Sequence, residues 1–481
     1  MKVSIYILSI LLLLFQETKS IDFSELKTKN TSFWFVKDNS IPIISLSFSI
    51  RGGSSQDPDG KEGLTYLMTS TMDEGTNKFS GPQLRKFKKL NGIKLNISTQ
   101  KNKIEGSFQV ISSQVDQGFE LLDQVLNFPK FDKSDLEKVL KQIEASLKID
   151  QSDLSTLSNN KFNDIFFKKN NFSKRIKGTK KTLDNITKDD LIKHHKNSFN
   201  TKELYIGVSG DISEQSIKKY IEKVFGKFSV ENVSPSFEKF TDLPRGQKVI
   251  QLETPQSSVV FGHPGLSRSD KDYFSLRLAN YILGGGGFQS RLYKQIREKR
   301  GLVYSIYSYP ISYKHDGFMM GGFQTRNKSV FETVNRVKEE WAKISKRGIT
   351  KKELDEAKAY YKGSFTRNFT STVSIANLLN IVQFYDLGKN YFSERDKIII
   401  VGENFEVADY IVSNSNFISD PRTTEKYKKP ESFILDEEIT KGKIVINKIF
   451  YVCFISFVGC KIWRIINYGF YGYFHHKEYK I

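Results

Sequence analysis

Residues 282–307 read ILGGGGFQSRLYKQIREKRGLVYSIY, a glycine run followed by a polar helical pattern and a strand-like end. No Gly-Lys-Ser/Thr follows the glycines and no strand-to-helix nucleotide unit surrounds them, so they are not a phosphate-binding loop. We expect them to permit a tight turn into the helix that carries Arg297. The run consists of Gly284, Gly285, Gly286 and Gly287.

The glycine run belongs to the second copy of an internal repeat. Ile104–Val110 (IEGSFQV) is echoed by Met320–Thr325 (MGGFQT), and an amphipathic helical pattern follows each of them. Two similar helix starts come next, at Phe131–Glu137 and Ile349–Asp355, each with a polar residue before an acidic first turn. The offset between the copies is about 215 to 218 residues, which makes each copy a domain.

The repeat predicts two layered domains of the same α+β class. Strand-like runs such as Ile41–Ile50 and Leu204–Ser209 come in pairs separated by long helical insertions. Two such domains joined by a linker can face each other and enclose a cavity. The predicted parts are a signal peptide over residues 1–20, a first domain over 21–227, a linker over 228–248, a second domain over 249–430 and an atypical tail over 431–481.

A second diagnostic segment, Arg51–Thr76, reads RGGSSQDPDGKEGLTYLMTSTMDEGT. Together with residues 282–307 it resembles the pitrilysin/insulinase family of metallopeptidases. In that family a strand ending in Arg-Gly-Gly-Ser leads into a helix with the motif HxxEH, whose histidines bind zinc and whose glutamate activates the zinc-bound water. The resemblance covers roughly residues 30 to 400 and implies two pitrilysin-type or mitochondrial-processing-peptidase-type domains around a cavity.

The resemblance implies that the zinc site itself has been lost. The positions of the HxxEH motif are occupied by Tyr66, Thr69 and Ser70. None of these residues is a plausible zinc ligand or general base. The third zinc ligand of the family would fall near Ser146 or Leu147, and neither can replace it. We therefore expect no zinc in this chain.

The histidines do not offer another metal site. Adjacent histidines on a helix point about 100° apart, so His194 and His195 cannot share an ion as an i, i+4 pair would. Asp190 and His194 do have that spacing, but such pairs are common on solvated helix faces. Glu144, close to the third-ligand position, is most simply a surface residue. The remaining histidines are His263, His315, His475 and His476.

The resemblance also implies a role for Arg297 and Tyr304. In active family members the corresponding pair reaches across the cavity to the zinc site and binds the substrate and the oxyanion that forms on the scissile carbonyl. Arginine supplies a permanent charge and tyrosine a short hydrogen bond, and both act best in a water-poor cavity. The structural alternative is that Arg297 is a surface helix residue and that Tyr304 packs on the core.

The composition of the chain indicates its compartment and excludes some partners and metal sites. Lys2, the apolar stretch Val3–Phe15 and small polar residues up to Ser20 form a signal peptide that is too short to span a membrane, which indicates export. The formal charge is +20, but the lysines are scattered and export removes nucleic acid as a partner. Both cysteines, Cys453 and Cys460, lie near the end, which excludes CxxC zinc sites.

The final segment departs from the family. An uncharged run from Ile449 to Cys460 precedes Lys461 and an aromatic, basic end. The run is short for a transmembrane helix. Three interpretations stay open: the tail lies on a membrane surface, spans the membrane, or replaces the true end of the domain after a reading-frame change.

These observations predict a non-catalytic subunit. Bacterial members of the family are often two cooperating half-size chains, one with HxxEH and one with the Arg/Tyr pair, and this chain fits the second description. The resemblance implies a heterodimer in the periplasm, in which an HxxEH-bearing partner supplies zinc and this chain helps to hold extended peptides. Two alternatives stay open: a purely structural or peptide-binding protein, and a peptidase that acts alone through an unrecognised site.

Overall fold

The computed structural model describes residues 22–168, 170–231, 235–240 and 246–392, together with the backbone of a strand at residues 443–448. The predicted signal peptide and most of the predicted tail, including residues 449–460, lie outside these ranges. Within them, no helix combines the length and the apolar character needed to pass through a bilayer.

The first half of the chain forms a six-stranded sheet in the order β1-β2-β6-β3-β5-β4. The predicted strand at Ile41–Ile50 becomes the central β3, which is buried along its length because helices cover both faces of the sheet there. The strands are β1 (Ser24–Lys27), β2 (Ser32–Lys37), β3 (Ile43–Arg51), β4 (Lys94–Thr99), β5 (Lys103–Ile111) and β6 (Leu204–Gly210).

Helices of the first half bury their apolar stripes against this sheet. Phe119 of α3 packs edge-on against Phe108 of β5 at 5.2 Å, and Phe225 of α8 packs in the same way on Phe48 of β3 at 5.6 Å. The helices are α1 (Leu64–Thr71), α2 (Gly81–Leu90), α3 (Val115–Asn127), α4 (Lys133–Asp150), α5 (Leu154–Phe166), α6 (Lys180–Leu183), α7 (Lys188–Ser198) and α8 (Glu214–Phe225).

The second half repeats this plan with a sheet in the order β7-β11-β8-β10-β9. Two short π-helical turns, Tyr281–Gly285 and Tyr293–Glu298, lie between its first helix and β9. The strands are β7 (Gly246–Gln251), β8 (Gln256–Pro264), β9 (Val303–Ser312), β10 (Gly317–Arg326) and β11 (Lys443–Lys448). The helices are α9 (Tyr273–Asn280), α10 (Val330–Arg347), α11 (Lys351–Thr366) and α12 (Thr372–Phe384).

The last strand departs from the repeat in its direction. β11 lies between β7 and β8, as β6 lies between β2 and β3. However, β6 is parallel to β2 and antiparallel to β3, whereas β11 is antiparallel to β7 and parallel to β8. The segment predicted as an atypical tail therefore contains a strand of the second sheet, and this strand runs the opposite way from its counterpart.

Each half covers its sheet with a helix from the other half. α12 of the second half lies on β3 and β6, where the Ser49 hydroxyl donates to Oδ1 of Asn380 at 2.7 Å. α5 of the first half lies on β8, where the hydroxyls of Ser158 and Ser258 are 2.7 Å apart. Glycines allow this close approach: a Cβ on Gly207 would lie 2.8 Å from the Asn380 backbone nitrogen. The two halves are thus joined by an exchange of helices.

Candidate functional site

The helix that carries the predicted positions of the lost zinc motif, α1, is held at its start by Asp57. One carboxylate oxygen of Asp57 accepts the backbone N–H of Gly63 at 2.8 Å, and the other accepts the N–H and the hydroxyl of Thr65 at 3.0 and 2.5 Å. The first N–H groups of a helix have no partner within the helix, so this carboxylate satisfies them and suits the helix dipole. Burial raises the pKa of Asp57 to about 6.

His194 of α7 lies behind this cap. Because the Thr65 hydroxyl donates to Asp57, it accepts a hydrogen bond from Nε2 of His194, at 2.8 Å. Burial lowers the pKa of His194 to about 4, so the imidazole is neutral near pH 7 and its 3.9 Å contact with Asp57 is not an ion pair. Asp190, one turn earlier, instead binds Lys61 at 2.6 Å. The pair with metal-ligand spacing therefore has two separate sets of partners.

Hydroxyl groups occupy the former zinc-motif positions on α1. Thr69 is buried, and its hydroxyl lies 3.1 Å from the Tyr66 carbonyl oxygen and 2.8 Å from the hydroxyl of Thr99 on β4. Tyr66 packs on the core of the first half, and Ser70 is half-buried. At Thr69 the helix thus makes a structural contact with the edge strand β4, and none of the three side chains is the imidazole or carboxylate that a zinc peptidase needs.

A lysine lies next to Ser146, one of the two positions predicted for a third zinc ligand. Nζ of Lys177 donates to the Ser146 hydroxyl at 2.7 Å and to the Asp150 carboxylate at 2.9 Å. Leu147 packs on the core, and Glu144 pairs with Lys180 at 2.9 Å. Across the part of the chain that the structure describes, no three His, Cys, Asp or Glu side chains form a group that could hold a metal ion.

Arg297 and Tyr304 line one open cleft of about 990 Å³ in the second half. The Arg297 guanidinium donates to the Tyr293 hydroxyl and lies 4.7 Å from the centre of that ring. The Tyr304 side chain, on the edge strand β9, is 88% exposed. The structural alternative is therefore wrong for Tyr304, which does not pack on the core, but Arg297 is an exposed residue, as that alternative expected.

The four glycines shape this cleft in two ways. Gly287 has a left-handed backbone, with φ of 55°, and forms the turn that was expected. Gly284 and Gly285 are needed for lack of space. A Cβ on Gly284 would lie 3.1 Å from the Ser308 backbone nitrogen, and a Cβ on Gly285 would lie 3.3 Å from the Ser308 backbone oxygen. They let β9 approach the turn closely. Gly286 links these two parts, and the expected helix around Arg297 is a π-helical turn.

The chain matches two family models, which together cover most of its described part. The insulinase (peptidase family M16) model matches residues 35–180, and the model of the peptidase M16 inactive domain matches residues 185–361. The chain belongs to the M16 family. This confirms the predicted family and the predicted fold of two pitrilysin-type α+β domains.

M16 relatives span most of the described chain. Non-peptidase homolog YmxG of Helicobacter pylori is 27% identical over 333 residues, which cover 69% of this chain and 76% of the relative. Uncharacterized zinc protease YmxG of Bacillus subtilis is 24% identical over 331 residues, which cover 69% of this chain and 80% of the relative. The solved structure of the peptidase M16 inactive domain from Pseudomonas fluorescens has a TM-score of 0.75 at 22% identity, covering 89% of this chain and 98% of that one.

Two residues of this region, Asp57 and Lys177, were not singled out from the sequence. Asp57 followed by Pro58 resembles a helix-start signal, but it would place the start at Pro58, six residues before α1 begins at Leu64. Lys177 gave no such signal, because it lies 31 residues from Ser146 and only the fold brings the two together.

Proposed function

We propose that this M16 chain is the non-catalytic subunit of an exported peptidase and provides Arg297 and Tyr304 to the active site of an HxxEH-bearing partner. One observation carries the proposal: the pair is exposed in an open cleft, while hydroxyl groups occupy the zinc-motif positions. The partner supplies zinc, its ligands and the general base. The signal peptide directs this chain to the periplasm, where the heterodimer forms.

Peptide hydrolysis explains why the chain needs a partner. Attack on an amide carbonyl needs an activated water, and Tyr66, Thr69 and Ser70 provide neither metal ligands nor a general base. The name of the H. pylori relative, non-peptidase homolog, agrees with a chain that cleaves nothing alone. The oxyanion of the tetrahedral intermediate, in contrast, needs only hydrogen-bond donors, and the Arg297 guanidinium and the Tyr304 hydroxyl would provide them.

The position of Tyr304 also suits an extended peptide. β9 is an edge strand of the described sheet, since it pairs only with β10. A peptide can add to such an edge through main-chain hydrogen bonds, which require no particular sequence. Tyr304 lies on this edge strand and would therefore be close to the scissile bond once the partner closes over the cleft.

A reconstitution experiment tests the proposal. The chain and an HxxEH-bearing M16 chain from the same organism are purified separately, analysed for zinc, and mixed with a quenched fluorescent peptide. We expect zinc only in the partner and full activity only in the mixture. Arg297→Ala should lower kcat by about 100-fold, because an oxyanion donor is lost. Arg300→Ala is the matched control, since Arg300 is exposed in the same segment and its side chain donates to the Gln295 carbonyl.

Two results would remove the proposal. One is unchanged activity of the Arg297→Ala mixture under conditions where Arg300→Ala is also active. The other is stoichiometric zinc and peptide cleavage by this chain alone, which would support a peptidase with an unrecognised site. A mixture that forms a complex without any gain in activity would favour the purely structural alternative.

A further inference from the structure

A second cavity, of about 920 Å³, lies between the two halves of the molecule. The turn from β4 to β5, Gln100–Glu105, forms one wall, and α9, α11 and α12 contribute to the other. Seven tyrosines line it, among them Tyr273, Tyr361 and Tyr391. Tyrosine rings offer apolar faces and hydroxyl groups together, which is typical of surfaces that bind peptides.

Two arginines, Arg268 and Arg277, are held among these tyrosines. The guanidinium of Arg268 lies 4.1 Å from the centre of the Tyr273 ring and donates to the Tyr391 hydroxyl at 3.3 Å. The guanidinium of Arg277 lies 4.8 Å from the Tyr361 ring and 5.9 Å from the Tyr273 ring. The two cations therefore share one ring, and both line the cavity.

Neither guanidinium has a carboxylate partner among the described residues. The arginines that form ion pairs in the described part of the chain are others, namely Arg51, Arg85, Arg175, Arg291 and Arg336. Arg268 is only 9% exposed, and a cation removed from water in this way is costly unless an anion compensates it. The acidic residue in the lining, Glu105, is bound to Lys103 at 2.5 Å. Among the described residues, the charge of the two arginines is thus not compensated by a carboxylate.

The cavity continues into the cleft of Arg297 and Tyr304. Tyr273, Arg277, Gly285 and Tyr361 line both spaces. A peptide held in the cleft can therefore extend one end into the cavity. A guanidinium presents its donors in a plane that matches a carboxylate, so the end that fits here is an anionic one.

We propose that Arg268, Arg277 and the tyrosines around them form a subsite for a peptide carboxylate. The inference rests on the proposed function in one respect, that peptides occupy the adjoining cleft. The carboxylate is an acidic side chain or the free C-terminus of the peptide. The tyrosine walls give it an aromatic or apolar neighbour. This subsite makes the chain selective for acidic or C-terminal segments, separately from any catalysis.

Binding of fluorescent decapeptides to the full chain alone tests the subsite. One peptide carries a glutamate and an amidated end, a second carries glutamine and a free C-terminus, and a third carries glutamine and an amidated end. We expect at least one of the two charged peptides to bind about tenfold or more tightly than the neutral one, with an advantage that shrinks at high salt. Which charged peptide binds identifies the source of the carboxylate.

Variants separate a binding role from a structural one. Arg277→Gln should remove the preference for charge, and Arg277→Lys should retain part of it. Arg347→Gln, which removes an exposed charge outside the cavity lining, should leave it unchanged. Arg268→Gln repeats the test if Arg277→Gln unfolds, as judged by thermal melting.

The inference fails if all three peptides bind equally, or if a folded Arg277→Gln variant keeps the full preference for charge. It also fails if a single-stranded oligonucleotide displaces the charged peptide at lower concentration than an unlabelled copy of that peptide. Because no partner is present, these outcomes do not depend on the reconstitution experiment. Cleavage by the mixture without charge preference would refute the subsite alone, and charge preference without cleavage would refute the partnership alone.

Discussion

Asp57 stabilises α1 from outside the helix, through hydrogen bonds to two backbone N–H groups and one hydroxyl. Asp57→Ala leaves these buried donors without an acceptor. We expect it to lower the free energy of unfolding by about 2 to 4 kcal/mol, the usual range for a lost helix cap and unpaired buried donors combined. Chemical denaturation measures the change. Asp59→Ala, whose side chain is 93% exposed, is the control and should change stability by no more than about 0.5 kcal/mol.

Tyr304 shows what the sequence pattern can and cannot predict about a single residue. Its sequence context identified it as a member of the pair, but strand alternation could not decide which way it faces. The register between β9 and β10 shifts at Phe323 to Thr325, and Tyr304 and Ser305 are both exposed as a result. Such an irregularity depends on the partner strand, so the sequence of β9 alone does not contain it.

The exchanged helices lead to a prediction at the level of elements. Gly207 of β6 lies directly beneath α12, and a methyl group there would overlap the backbone at Ala376 and Asn380. Gly207→Ala should therefore displace α12 and lower the free energy of unfolding by about 1 to 3 kcal/mol, as overpacking commonly does. Gly363→Ala in α11 meets nothing within 4 Å and should raise stability by about 0.5 to 1 kcal/mol through helix propensity. Equal losses in both variants would contradict this packing argument.

Strands and helix starts were predictable where the sequence pattern that specifies them is local. The runs at Ile41–Ile50 and Leu204–Ser209 are confirmed as β3 and β6, and the helix start at Ile349–Asp355 is confirmed by a capping box between Thr350 and Glu353. The features that could not be predicted depend on contacts between segments that are distant in the sequence. The helix exchange and the reversed direction of β11 arise from packing and strand pairing, which periodicity does not encode.

Buried histidines make the whole molecule sensitive to acid. Burial lowers the pKa values of His194, His195 and His263 to about 4, whereas an unfolded chain protonates histidine near 6.5. Unfolding in this window therefore takes up protons at all three, and stability falls as pH drops from 6.5 to 4. Asp57 acts in the opposite direction, because its pKa of about 6 lets the folded state keep a proton that the unfolded state releases.

Because three histidines act in one direction and Asp57 alone in the other, acidification lowers the free energy of unfolding. We expect the thermal midpoint to fall steadily between pH 6.5 and pH 4.5, as differential scanning fluorimetry can measure. His195→Gln should flatten the slope, because it removes one of the three groups. A midpoint that is constant or rises toward pH 4.5 would contradict the buried, neutral state of these histidines.

The exchange of helices also sets an order of events during biosynthesis. The face of the first sheet on which α12 packs stays uncovered until Phe384, the last residue of α12, has left the ribosome. This happens long after β6 is complete. The amino-terminal half therefore cannot mature as an independent unit while translation proceeds. In a nascent chain stalled before α12, Ser45 and Ser49 of β3 would lack the partners on α12, Thr372 and Asn380, that their hydroxyls meet in the folded protein.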